Sequence, residues 1–139
     1  LATMNARTNM EADPEARDYV ERYYEPTGKL YRPLITVHNY QDGLAFTANE
    51  SVLKTLVKKR GRKRLLTQAY VGVPGHCAFN QEQWQTTVDA MEHWLDSGEI
   101  PAESFFSVEK GFLPDFVPPE WPQPWSADVD KKWDEYFVH

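Results

Sequence analysis

Pro33-Leu34-Ile35-Thr36-Val37-His38 runs into Asn39-Tyr40-Gln41-Asp42-Gly43, and further on Leu65-Leu66-Thr67-Gln68-Ala69-Tyr70-Val71 runs into Gly72-Val73-Pro74-Gly75-His76. The first run is β-branched, apolar and too short for a helix, and the second is a similar strand candidate, also followed by turn-forming residues. Continuous runs of this kind suit strands covered on both faces, as in a parallel sheet. Between them, Thr47 with Glu50 three residues later reads as a capping box. Val52, Leu53, Leu56 and Val57 then form one apolar stripe of a helix ending near Gly61. Strand, helix, strand from Leu34 to Val71 is a βαβ crossover, which makes the two strands parallel and the connection right-handed.

Outward from this unit, Asp13-Pro14 supplies an N-cap and a first-turn proline. Ala16, Tyr19, Val20, Tyr23 and Tyr24 follow at helical spacing, and Pro26-Thr27-Gly28 stops the helix. The stretch Leu1 to Ala12 is polar and without period. On the other side, Asn80 with Gln83 opens a third helix, Trp84, Val88, Met91 and Leu95 mark its apolar stripe, and Gly98 closes it. From Glu99 the composition changes. Pro114, Pro118, Pro119, Pro122 and Pro124 alternate with Phe112, Phe116, Trp121 and Trp125. Exposing so many large aromatics forfeits about 1.5–3 kcal/mol each, so the segment reads as an extended arm pressed onto a larger body. A terminal helix from Ser126 to Phe137 is expected to end it. The organisation is therefore a domain portion over residues 1–98 and an arm over residues 99–139, without internal repeats.

Composition narrows the partners. A net charge of −6 and a pI near 5.2 argue against nucleic acid or an anionic membrane surface. No apolar run approaches the roughly 20 residues that span a bilayer. The basic run Lys58 to Arg64 lacks interleaved aromatics and follows a helix C-terminus, where cations are favoured, so a solvated loop is preferred to a nucleic-acid patch. The chain starts at Leu1 with nothing resembling a signal peptide, so either a leader has been removed or a longer chain is implied. The one cysteine, Cys77, excludes an intrachain disulfide and leaves a buried thiol or half of a bridge to another segment. Its role as a nucleophile with His76 as base is disfavoured, because adjacent side chains diverge. The four histidines and the cysteine have no metal-ligand spacing, and no cofactor is implied. His38 and His93 read as structural, and Phe105, Phe106, Phe112 and Trp121 to Trp125 as sealing a hydrophobic surface.

The chemistry sits at the carboxyl ends of the strands, where open parallel sheets carry their working residues. The first loop offers Asp42 and the second His76, both at one edge of the sheet. A carboxylate that fixes the tautomer of a histidine, and stabilises its protonated form, makes a general base able to deprotonate a serine hydroxyl.

These residues resemble a family. Pro33 to His38 leading to Gln41-Asp42-Gly43-Leu44 looks like the strand and loop that present the triad acid in α/β-hydrolases. Pro74-Gly75-His76-Cys77-Ala78-Phe79 before a long helix looks like the histidine loop and final helix, and acid before histidine is that family's order. The likeness covers roughly residues 25–97. It implies the C-terminal portion of an α/β-hydrolase sheet and a serine hydrolase of carboxylic esters, with Asp42 orienting His76 and a small-molecule ester as substrate. The sequence departs from the family in lacking Gly-x-Ser-x-Gly, and Ser51, Ser97, Ser104, Ser107 and Ser126 all lack that setting. The nucleophile is therefore expected on an N-terminal portion, in the same or a separate chain. His76-Cys77 is similar to the tannase and feruloyl esterase branch, whose cysteine beside the histidine bonds to one beside the serine. A bridge of that kind implies a periplasmic or secreted protein. The alternative is a non-catalytic α/β-hydrolase-like module for binding or assembly, and a basic-loop nucleic-acid binder ranks last.

Overall fold

Asp13 opens the first helix, α1 (Pro14–Tyr23), by accepting the Ala16 N–H at 2.9 Å. The structure, a computed structural model, describes residues 12–120. The chain then forms β1 (Leu34–Asn39), α2 (Ala48–Lys59), β2 (Leu66–Val71) and α3 (Gln81–Ser97), with short 3₁₀ turns before β2 and after α3. The described residues thus form a mixed α/β fold around a small parallel sheet of two strands. Leu34 pairs with Leu66 and Asn39 with Val71 at the two ends of the register, so both strands finish level. The expected terminal helix, Trp121 and Trp125, and nearly all of the polar N-terminal stretch lie outside the described residues.

The two faces of the sheet differ. Ile35, Val37, Ala69 and Val71 point to one side and pack with Ala90 of α3, Phe106 and Phe112 in the core. On the opposite face Glu50 of α2 draws a hydrogen bond from Thr36 Oγ1 at 2.6 Å and others from Gln68. This network corrects the capping reading at the start of α2. Thr47 adopts helical angles and its side chain makes no cap, because the Glu50 carboxylate is drawn to the strands rather than back to the helix start. The strands are half-buried over much of their length, with Asn39 and residues 69–71 fully buried.

The third helix has the predicted ends: the Asn80–Gln83 capping box is present and Gly98 is left-handed at φ 73°. Its predicted stripe is wrong. Trp84, Val88 and Leu95 are exposed, and Gln83, Thr86, Ala90 and Trp94 face inward. Gln83 fixes this rotation, since its side chain accepts from Asn80 N–H at 3.0 Å and reaches the Gly111 carbonyl at 3.4 Å, while Ala90 lets the helix approach the sheet closely. The stripe of α1 is exposed as well, and no α1 residue is buried. Gly28, at φ 70°, meets α2 so closely that a Cβ there would lie 2.4 Å from the Leu56 carbonyl carbon.

Beyond Gly98 the arm lies on this chain's own sheet as far as Pro119. Phe106 and Phe112 enter the core, and Val71 bridges Phe112 in the antiparallel sense. Leu113 N–H donates to the Tyr70 carbonyl at 2.8 Å, Phe116 packs on the Tyr70 ring, and Ser51 Oγ donates to the Pro119 carbonyl at 2.7 Å. Phe105 packs against the core from outside it.

Candidate active site

The sheet delivers two loops to one end because β1 and β2 are parallel and in register. Three connections then tie the loops together. Tyr40 N–H donates to the Val71 carbonyl at 3.1 Å, extending the ladder one residue. Gly75 N–H donates to the Gln41 carbonyl at 2.9 Å. Asn39, 1% exposed, spans the gap from below. Its amide donates to the carbonyls of Val73 and Ala78 at 3.0 and 3.2 Å, and its oxygen accepts from Ala78 N–H at 3.1 Å. Both shoulders of the His76 loop therefore rest on one buried side chain.

Asp42 and His76, named from the sequence, come together. His76 Nδ1 lies 2.8 Å from Asp42 Oδ2, and Asp42 Oδ1 accepts from Leu44 N–H at 2.8 Å and Ala45 N–H at 3.0 Å. The Asp42 side chain is 5% exposed and that of His76 47% exposed. Burial, the largest single influence, pushes the Asp42 carboxyl up. It is outweighed by the Ala45 amide, the His76 ring, the Leu44 amide and the His76 charge, which together hold the group at about 2. An ionised carboxylate only accepts, so the proton of this pair sits on Nδ1 and the lone pair of neutral His76 lies on Nε2. No described side chain hydrogen-bonds Nε2. The arrangement can take a proton from a group brought to Nε2 and return it, with Asp42 countering the charge that develops on the ring.

Cys77 departs from the expectation of a buried thiol. It is exposed, unpaired, and left-handed at φ 54°, next to Gly75 at φ 122°. The loop has to reverse within Gly75–Cys77 to return its chain to Asn39, and this reversal turns the thiol outward. His38 and His93 lie apart from the pair: His38 Nδ1–H donates to the Asn39 carbonyl at 2.9 Å, and His93 stacks on Phe105 with ring centroids 5.2 Å apart. Ser51 Oγ is engaged with the arm and Ser97 Oγ with the His93 carbonyl at 2.7 Å, so neither is turned to His76.

Asn39 was missed by sequence reasoning, which assigned it to the loop. No local signal marked it, since an asparagine after a strand reads equally well as a turn residue. Among the described residues, no group of three or more histidine, cysteine, aspartate or glutamate side chains could hold a metal ion, and no helix is long and apolar enough to cross a membrane. No protein-family model, curated protein or solved structure matches the chain.

Proposed function

We propose that this chain supplies the acid and the histidine of a serine-hydrolase triad, in the manner of the C-terminal portion of an α/β-hydrolase. One observation carries the reading: a buried, ionised Asp42 held by two backbone amides bonds His76 Nδ1 at 2.8 Å and leaves Nε2 facing outward. His76 would deprotonate a serine on a nucleophile-bearing N-terminal portion, in this or another chain, and then protonate the leaving alcohol of a small ester. The exposed apolar stripes of α1 and α3 support a larger body around this one, because Tyr19, Tyr23, Trp84, Val88 and Leu95 are at least half exposed or nearly so.

The test is kinetic. In the protein that contains the serine, His76→Ala should lower turnover of a simple aryl ester by about 10³-fold or more with folding unchanged. Turnover within a few-fold of the parent would sink the assignment and leave a non-catalytic module for binding or assembly. Cys77 is the proposed link to the nucleophile-bearing portion, since its thiol is exposed beside His76. Cys77 of the protein from its native source should then escape alkylation until the protein is reduced, whether its partner lies in the same or a separate chain. Alkylation of Cys77 without reduction would remove the bridge, and with it the proposed oxidising compartment, periplasmic or extracellular.

A further inference from the structure

Among the described residues, the outer edge of β2 is covered only at its carboxyl end. Backbone groups of successive strand residues point to opposite edges. The Tyr70 carbonyl and the Gly72 N–H meet the arm on the outer side, through Leu113 and Gly111, while the Val71 carbonyl meets Tyr40 on the inner side. Alternation therefore turns the Leu66 carbonyl and both backbone groups of Gln68 outward, and after Leu113 the arm leaves the strand without bonding them. Along this open stretch runs a groove of about 890 Å³. Val57 of α2 and Val117 line it on one face of the sheet, and Ala102, Phe106 and Phe112 on the other. It has the form of a slot for one more strand.

The charge of its lining says what would fill it. Lys54, Lys58, Lys63 and Arg64 line the groove and are exposed. None of them is paired with a carboxylate among the described residues, although the chain carries a net charge of −6; Glu103 is the acid in the same lining. Tyr70, 6% exposed, also lines the groove.

We propose that this groove binds an extended acidic segment of a partner protein, added to β2 as a third strand. The partner's backbone would pair with Leu66 and Gln68, and its carboxylates would meet the four cations. A nucleic acid could satisfy the cations but has no backbone N–H for the Leu66 and Gln68 carbonyls. The inference is independent of the hydrolase reading, because neither Asp42 nor His76 lines the groove.

Fluorescence anisotropy with the full 139-residue chain tests it. The probe is a labelled peptide of about eight alternating valine and glutamate residues, with a valine–lysine peptide of equal length as control. The acidic probe should bind, and added salt should weaken it. Lys58→Glu with Arg64→Glu should weaken binding roughly ten-fold. Equal binding of the basic peptide, or indifference to these substitutions, would overturn the proposal. So would binding gained only when the chain is cut after Glu120, which would make the protein's own C-terminal segment the occupant. A dimer abolished by the charge reversal would assign the groove to a second copy and overturn it likewise.

Discussion

At the scale of single residues, the Asp42 carboxylate joins a loop to an imidazole: one oxygen gathers the Leu44 and Ala45 amides and the other holds His76. Both tasks need the charge. The folded protein keeps the carboxyl at about 2 against an ordinary 3.8, so between those values the unfolded chain binds more protons and stability rises with pH. The contribution is complete above the ordinary value and vanishes as pH falls through about 2. Thermal melts of the parent and of Asp42→Asn should therefore differ at pH 6 and converge as pH falls from about 4 to 2. A difference that stays constant over that range would mean that the loop does not use the charge.

Among the elements, the pairing of β1 with β2 does the positioning, and Asn39 transmits it to the histidine loop. Asn39→Ala removes bonds to Val73 and to both backbone groups of Ala78, and should cost about 2–3 kcal/mol in urea unfolding. A loss below about 0.5 kcal/mol would show that the loop holds itself. The role of Asn39 was not legible in the sequence, because an asparagine after a strand reads equally well as a turn residue. The rotation of α3 was hidden for a related reason. Trp84, Val88, Met91 and Leu95 give the more apolar stripe, but Gln83, through its bonds to Asn80 and Gly111, turns a less apolar face to the sheet.

On the scale of the whole molecule, a two-stranded sheet offers little surface, and the arm supplies much of what covers it. Phe112 is 1% exposed and sits between Val71 and Phe106. Phe112→Ala should cost about 3–5 kcal/mol, enough to unfold a domain of this size or bring it close. Circular dichroism at 25 °C is a sufficient measurement, and a melting temperature within a few degrees of the parent would show that the arm is dispensable.

The sequence by itself determined the elements and their order: caps, turns and apolar runs are local signals, and they marked three helices and two parallel strands to within a residue or so. It also named Asp42 and His76, because a crossover between parallel strands sends both following loops to one sheet end. The tertiary structure decided what depends on distant partners. It brought Asp42 and His76 to hydrogen-bonding distance, drew Glu50 away from its cap to the strands, turned Cys77 outward and, among the described residues, left one edge of β2 open beside unpaired cations. Each of these follows from contacts between residues far apart in the chain, where neither periodicity nor propensity carries a signal.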